Sequence, residues 1–268
     1  ITTFDIERYK KSRKSEKSIK RKFPDGSITY KESPPTDGTI NRELAVLSHL
    51  LNKSVEWGWI QHKSAIIRRF KESNGRISYL TVDQADNLVS SAMQDRDAQI
   101  YPFVVIALET SMRKTEILSI KKSNVDTERR TIYVPQAKAG PREQPVTQRL
   151  AEFLAGYIRA SQPGTDWLFP SPAAKSGRRI DIRKSFRRVT EAAGLDPDEI
   201  TPHVLRHTAI THLVQAGVDL PTVKRISGHK TLVMVERYAH ANGSHIRAAM
   251  DKLQHRYHGP SAIDLLRE

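Results

Sequence analysis

One short β-strand signature among long helical patterns constrains the fold of this chain more than any other feature. The run Thr131–Val134 is β-branched and aromatic; Val125-Asp126 leads into it, and Gln144-Pro145-Val146 follows beyond a turn at Ala139-Gly140-Pro141. Such runs, bounded by turn residues, are typical of paired strands. Elsewhere the apolar residues recur mostly at helical spacing. The sequence therefore predicts a mainly α protein with one small antiparallel β-sheet.

Helical periodicity also predicts the elements around this sheet. Thr81 has the position of a helix cap, residues 97–111 form a strongly apolar helix, and Glu116-Ile117-Leu118 belongs to the next helix. Further helices are predicted over residues 147–160, 181–194, 202–216, 219–227, 231–238 and 244–255.

The N-terminal part is predicted to be helical as well. A helix is expected over residues 4–22, where it turns into a basic run, and a loop rich in proline and glycine over residues 23–38. A second helix is expected to start at its cap Thr39 and to end at Trp57-Gly58-Trp59.

The chain is expected to form two domains, because 268 residues are enough for two of ordinary size. Asn74-Gly75 is typical of a linker between domains. We expect a first domain over residues 1–73, a linker over 74–79, and a second domain over 80–268 that ends in a tail helix.

The composition is basic, with 44 Lys and Arg residues against 30 Asp and Glu residues and a formal net charge of +14. Such a charge predicts binding to a polyanion, and nucleic acid is one candidate. The candidates for DNA contact lie in the N-terminal helices: Arg8, Lys10, Lys11, Arg13, Lys14, Arg42 and Lys53. An alternative interpretation is that the basic run forms a solvated helix face or a mobile arm.

Several classes of function are excluded or left without support by what the sequence lacks. There are no cysteines, which excludes disulfide bonds, thiolate chemistry and cysteine-based zinc fingers. Phosphate-binding P-loops, dinucleotide-binding glycine motifs and nucleophile-elbow serine motifs are missing from the sequence. No apolar run approaches the ~20 residues of a membrane span, and no signal-peptide core is visible. A cytoplasmic location is expected, with a start that has been cut or processed.

Four residues between positions 201 and 240 have the chemistry needed to break a phosphodiester bond without a metal ion. Arg206 can hold a phosphate through two parallel donors, and His203 and His229 can donate or relay protons. Tyr238 can attack phosphorus and become a covalent leaving group. His203 and Arg206 lie three residues apart on a predicted helix, so both can reach one ligand. Taken singly, each of the four is better explained as a paired or packing residue.

A zinc site is a competing interpretation of His203, His207 and His212. The acidic residue of a HExxH helix and the companion ligands are missing, so zinc is not favoured. His207 is expected to pack or to bond to the backbone.

Three upstream residues complete the set of charges. Arg113 lies at the start of a predicted helix, and Glu116, three residues on, could pair with it or order the helix. Lys138 lies in the predicted turn Gln136–Pro141, from which a lysine can swing onto a substrate. A surface ion pair and a solvated loop lysine are the alternatives.

Together these segments resemble the tyrosine recombinase (phage integrase) family. The segments that carry the resemblance are Glu109–Leu118, His203–Thr208, Ser227–Lys230 and Glu236–His240, in the family's order and spacing. The resemblance runs from about Ile40 to Arg256. It implies a helical core-binding domain and an α+β catalytic domain that clamp duplex DNA between them, with no cofactor and no metal ion.

The resemblance also implies roles for the candidate residues. Arg113 and Arg206 would bind the scissile phosphate, with Glu116 in support. Lys138 would be the general acid on the leaving 5′-oxygen. His203 and His229 would complete the phosphate pocket and help to move protons. Tyr238 would be the nucleophile that forms a 3′-phosphotyrosine.

The chain departs from the family pattern in three places. Ser111 stands where the family usually has glycine, and a small backbone adjustment at a helix entry is expected there. The family's core-binding domain normally has another helix before a segment like Ile1–Lys11, so by this resemblance the chain is expected to start inside that domain. Residues 23–36 have no counterpart that we can assign.

The resemblance implies an integrase-type, site-specific DNA recombinase from a phage or another mobile element. Its partners would be double-stranded DNA, three further copies of itself on two synapsed duplexes, and accessory DNA-bending proteins. The free protein is expected to be a monomer or a weak oligomer. The alternatives are a DNA-binding regulator that does not cut, and a relaxing enzyme similar to type IB topoisomerases that works as a monomer.

Overall fold

The chain is organised in two compact units, Ile1–Arg76 and Ile77–Glu268. The computed structural model describes residues 1–16, 19–22, 28–30, 34–72, 77–137, 140–161, 163–239 and 250. The division between the units falls inside the predicted linker over residues 74–79. The assignment of the units as a DNA-binding domain and a catalytic domain stays a prediction.

The first unit combines helices with a small antiparallel sheet. Its elements are α1 (Thr3–Ser15), β1 (Ile19–Lys22), β2 (Ile28–Tyr30) and α2 (Asp37–Glu56). Ile6 of α1 is buried with Ile40 and Leu44 of α2 and with Ala65. The apolar stripes of the two helices therefore form the core of this unit.

The structure corrects the predictions for the first unit in three places. The helix expected over residues 4–22 ends at Ser15, because Glu16 is extended and the chain continues into β1, where pairing with β2 outweighs helix propensity. Part of the loop expected over residues 23–38 is the strand β2. The cap of α2 is Thr36, whose Oγ1 accepts the backbone N–H of Thr39 at 3.3 Å, so Thr39 lies inside the first turn.

The second unit confirms the predicted fold of helices around one small antiparallel sheet. Its helices are α3 (Val82–Gln94), α4 (Ile100–Thr110), α5 (Lys114–Ile117), α6 (Gln148–Ala160), α7 (Arg183–Ala192), α8 (Pro202–Gln215), α9 (Leu220–Ser227) and α10 (Val233–Glu236). Strands β3 (Val125–Asp126), β4 (Thr131–Val134) and β5 (Arg142–Pro145) pair in that order.

Most predicted helices of the second unit match within a few residues, because their ends carry local signals. Thr81 caps α3 through a capping box with Gln84, and Thr147 caps α6. Pro202 occupies the first turn of α8. The segment predicted as a helix over residues 231–238 contains only the short helix α10. The helix predicted over residues 244–255 lies outside the described residues, apart from Met250. Within the described ranges, no helix is long and apolar enough to cross a membrane.

The helix α4 lies at the centre of the second unit. Phe103, Val104 and Ile106 are completely buried, and the helix packs against α3 and α8. A helix that is covered on several sides is apolar on several faces, as the sequence of α4 is. This packing brings the end of α4, just before Arg113, against the helix that carries Arg206.

Ser111 ends α4 in a left-handed conformation, with φ 55° and ψ 18°. The residue therefore lies at a helix exit, so its expected position at a helix entry is wrong. Glycine is favoured in this conformation because a Cβ atom strains it. The Ser111 side chain is completely buried, and its Oγ has no hydrogen-bond partner among the described residues.

Replacing Ser111 by glycine is expected to stabilise the second unit by about 1 kcal/mol, because it relieves left-handed strain and removes a buried, unpaired hydroxyl group. The greater freedom of glycine in the unfolded chain offsets part of this gain. Urea denaturation measures the free energy of unfolding. Arg130→Gly is the control, since Arg130 is exposed and has φ 53° but no buried hydroxyl, so a smaller gain is expected. A lower stability of Ser111→Gly would contradict the prediction.

Candidate active site

Arg206, near the start of α8, is a buried cation with only 2% of its surface exposed. Its Nη1 donates to the carbonyl oxygen of Ser111 at 2.6 Å, and its Nη2 lies 3.2 Å from Nε2 of His229. Burial, and next the charge on Arg113, lower the pKa of Arg206 to about 10, so the group stays charged at neutral pH. None of the described carboxylates forms an ion pair with it. A buried cation without a counter-ion indicates a binding place for an anion.

Arg113 is the cap residue of α5 and is fixed by Glu116. The Arg113 backbone N–H donates to Oε2 of Glu116 at 3.1 Å, and its Nη1 donates to Oε1 at 2.9 Å. The Glu116 side chain is 3% exposed, so this pair is a buried one and the alternative of a surface ion pair is wrong. Glu116 both orders the helix start and orients the guanidinium group.

Arg142 of β5 is a member of this cluster that the sequence analysis missed. It donates from Nη2 to Oε2 of Glu116 at 2.9 Å and from Nη1 to Gln144. Burial raises the pKa of Glu116, but the Arg113 backbone N–H and the Arg142 charge outweigh it, and the net pKa is lowered. One carboxylate thus holds two guanidinium groups. Side chains alternate along β5, so Arg142 lies on the same face as the buried Gln144. This alternation is the feature of the sequence from which a role for Arg142 could have been predicted.

Gly228 and His229 follow the end of α9, where Gly228 lies beside the partly buried Arg142 and His229 contacts the buried Arg206. Gly228 is left-handed, with φ 65°, and a Cβ atom at this position would lie 2.6 Å from Nε of Arg142. A guanidinium group only donates, so Nε2 of His229 must accept from Arg206. The proton of the neutral imidazole is then on Nδ1 and donates to Ser227 Oγ at 2.7 Å. Burial, then Arg206 and Arg113, lower the pKa of His229 to about 4, in agreement with this tautomer.

Tyr238 lies directly after α10 and is 2% exposed. Its Oη is 2.5 Å from Nδ1 of His207, and its ring packs in a cluster with Ile210 and Val214 of α8. Burial raises the pKa of the phenol, although the Arg206 charge acts against it. The His207 ring packs against the rings of His203 and Tyr238, as one of the two expectations had it, but its Nδ1 lies 2.5 Å from the candidate nucleophile and not at a backbone group.

His203 and His207 lie one turn apart on α8, with ring centroids separated by 4.5 Å. Burial lowers the pKa of His203, and the charges on Arg206 and Arg113 add to the effect. Burial, followed by His203, Arg237 and Arg206, lowers the pKa of His207 to about 4. Both imidazoles are therefore mainly neutral at pH 7.

His212 does not share a site with the other two histidines of the zinc interpretation. Its Nε2 lies 3.0 Å from the backbone carbonyl oxygen of Leu80. The described residues contain no group of three or more His, Asp or Glu side chains that could hold a metal ion.

Lys138 lies outside the described residues, so the structure leaves its predicted role untested. The strands on either side of it are described, and β4 pairs with β5 from Thr131–Pro145 to Val134–Arg142. Arg142, four residues after Lys138, is in contact with Glu116. The other five predicted catalytic residues are brought together in the second unit: Arg113, His203, Arg206, His229 and Tyr238.

The basic residues of the first unit that are candidates for DNA contact differ in burial and in their ion pairs. Lys10 is buried and pairs with Glu7 at 3.0 Å, and Arg13 pairs with Glu43 at 3.0 Å. Further ion pairs hold Arg8 to Asp5, Lys14 to Asp37 and Lys53 to Glu56. Lys11 and Arg42 are exposed. Lys10 and Arg13 therefore stabilise the unit itself, and DNA contact by any of these residues stays a prediction.

The Gly228→Ala variant is expected to lower the free energy of unfolding by about 2–4 kcal/mol, because its Cβ would clash with Arg142 and strain the left-handed backbone. Gly194→Ala is the matched control: Gly194 has φ 71° but no atom within 4 Å of the added Cβ, so it isolates the backbone cost of about 1–2 kcal/mol. Chemical denaturation of both variants measures the difference. Equal losses would mean that the fit between Gly228 and Arg142 adds nothing to stability.

Comparison with known proteins places the chain in a family. Residues 78–245 match the family model described as the phage integrase family. The shufflon-specific DNA recombinase of Escherichia coli is 28% identical over 255 residues, which are 94% of this chain and 61% of that protein. The tyrosine recombinase XerA of Thermococcus kodakarensis is 25% identical over 222 residues, which are 81% of this chain and 77% of that protein. The chain thus spans about three-fifths of the shufflon recombinase.

Solved structures of integrases have a similar fold. The structure of the Tn1549 transposon integrase in complex with transposon right end DNA superimposes with a TM-score of 0.69 at 20% identity, over 95% of this chain and 86% of that chain. At this identity the likeness shows the fold alone. The match to the family model covers well over half of the residues and includes the arginines, histidines and tyrosine described above. The chain belongs to the phage integrase family.

Proposed function

We propose that this protein is an integrase-type, site-specific DNA recombinase that cuts and rejoins DNA strands through a 3′-phosphotyrosine. The observation that carries the proposal is the buried Arg206, which lacks a carboxylate partner among the described residues and lies beside His229 at 3.2 Å. The residue that follows it on α8, His207, contacts the phenol of Tyr238 at 2.5 Å. A phosphate bound to Arg206 would therefore lie close to a nucleophile.

The arginines would bind the scissile phosphate and stabilise the charge that develops on its non-bridging oxygens. Arg206 would offer N–H donors that a phosphate can accept in pairs. Arg113, held by Glu116 and only 25% exposed, would supply a second oriented guanidinium group. Because both groups are fixed before DNA arrives, little reorganisation accompanies the reaction.

Tyr238 would attack phosphorus, and the 5′-oxygen would leave with a proton from Lys138. The covalent phosphotyrosine keeps the energy of the broken bond, so rejoining requires neither a nucleotide nor a metal ion. The reverse reaction, with a 5′-hydroxyl from another strand, would complete the exchange.

Double-stranded DNA would be the substrate. The Tn1549 integrase with the same fold has been solved in complex with transposon DNA, and the charge of +14 fits a polyanion. In the first unit, the exposed Lys11 and Arg42 are the strongest candidates for phosphate contact, because no ion pair engages them within the described chain.

The Tyr238→Phe variant is expected to form no covalent protein–DNA adduct, because it lacks the attacking oxygen. The assay traps the adduct on a library of nicked duplexes, since the target sequence is unknown. Tyr157→Phe is the matched control: burial also raises the pKa of this half-buried tyrosine, but it stacks on Phe153 away from the site. The control is expected to form the adduct at the wild-type rate.

The same assay separates the proposal from a DNA-binding regulator. A wild-type protein that binds one DNA sequence tightly and forms no adduct on any duplex would favour the regulator. An adduct formed by Tyr238→Phe would mean that the nucleophile is another residue.

We propose further that four subunits assemble on two synapsed duplexes, because recombination joins strands of two DNA molecules, with DNA-bending proteins as candidate helpers. Sedimentation is expected to show a monomer or weak oligomer without DNA and a tetramer with paired sites. A monomer that relaxes supercoiled DNA would instead favour the topoisomerase-like activity.

A further inference from the structure

The phenol of Tyr238 is buried, and a buried hydroxyl group that acts as a nucleophile needs an acceptor for its proton. Its hydrogen-bond partner among the described residues is Nδ1 of His207, at 2.5 Å. The two residues are 31 positions apart in the chain, so the contact depends on the packing of the segment after α10 against α8. The contact is short and joins the candidate nucleophile to a possible base.

The three imidazoles of the site differ in their capacity to accept this proton. The acceptor nitrogen of His229 already receives an N–H from Arg206, and its other nitrogen donates to Ser227. His203 contacts the ring of His207 and makes no hydrogen bond to the phenol in the described structure. His207 is thus the imidazole within hydrogen-bond distance of the Tyr238 hydroxyl group, and in the tautomer that carries its proton on Nε2 the lone pair of Nδ1 faces that group.

We propose that His207 is the general base of the reaction, which takes the phenolic proton through Nδ1 while Tyr238 attacks phosphorus. This inference rests on the proposed function. The O–H bond of Tyr238 breaks as an N–H bond forms on His207, and the P–Oη bond forms as the bond from phosphorus to the 5′-oxygen breaks. The leaving oxygen receives its proton from a separate acid, for which Lys138 is the candidate.

The charges around His207 would make proton transfer from Tyr238 depend on DNA binding. Burial, followed by His203 of α8, Arg237 of the segment after α10 and Arg206 of α8, disfavours a charged imidazole and holds the pKa of His207 at about 4. A phosphate on Arg206 would offset that positive charge and raise the proton affinity of His207. Without DNA, His207 would leave Tyr238 protonated; with DNA, it would become a better base.

The His207→Asn variant tests this role, because Asn Oδ1 takes roughly the place of Nδ1 and can accept a hydrogen bond but not a proton. The rate of adduct formation is measured in a single turnover from the bound complex, on DNA with a 5′-sulfur leaving group that requires no acid. The variant is expected to be slower by a factor of about 10²–10⁴. Its rate is also expected to rise about tenfold per pH unit between pH 7 and 9, because the deprotonated fraction of Tyr238 rises by that factor. The wild-type rate is expected to stay nearly constant over the same range.

Two comparisons separate a base from a structural residue. His212→Asn, on the same helix, loses the contact with the Leu80 carbonyl and is expected to lose stability but to keep the wild-type rate. Lys138→Ala is expected to recover most of its rate on the sulfur substrate, whereas His207→Asn is not. His207→Gln, tested in parallel, provides a second variant without a base if His207→Asn unfolds.

The outcomes distinguish the two proposals. If the wild-type protein forms no adduct on any duplex, the proposed function fails and the role of His207 fails with it. If the wild-type protein forms the adduct and folded His207→Asn or His207→Gln reacts within about threefold of it with a flat pH profile, His207 only positions the tyrosine and the base is another group.

Discussion

A guanidinium group buried in the second unit is the constraint on which the rest of the site depends. Arg206 has no carboxylate partner in the described chain, so backbone and imidazole acceptors must satisfy it. The acceptor from the backbone is the carbonyl group of Ser111, the residue that ends α4 in a left-handed conformation that serine rarely takes. Two further arginines lie nearby, and Glu116 offsets their repulsion by pairing with both.

The parts of the fold that the sequence predicts well are those with local causes. Capping residues such as Thr81 and Thr147 fix helix starts, and the left-handed Gly228 ends α9. The roles of the candidate residues were implied by the resemblance of their segments to a family and stay predictions. Their assembly was not predicted, because the contacts of Arg142 with Glu116 and of His207 with Tyr238 join residues 26 and 31 positions apart. Such contacts depend on how elements pack.

The errors in the first unit have a related cause. The basic run after Ser15 has the composition of a helix or an arm, and nothing in it alternates as a half-buried strand does. Its strand β1 exists because β2 pairs with it, and that partner begins six residues after β1 ends. Similarly, Thr36 and Thr39 are both good caps by residue type, and only the path of the chain before α2 decides between them.

The carboxylate of Glu116, which pairs with both Arg113 and Arg142, lowers the net positive charge of the site. Arg113, Arg142 and Arg206 against Glu116 leave two positive charges in excess among these four residues. Arg237 beside His207 and the proposed acid Lys138 add to this excess, while His207 and His229 are neutral at pH 7. In the proposed reaction, DNA and the phosphotyrosine each present one negative charge, while further negative charge develops on the phosphoryl oxygens in the reacting state between them. The excess positive charge would then stabilise the state between cutting and joining more than the DNA or the phosphotyrosine, and a reversible exchange of strands requires that neither of these be strongly favoured.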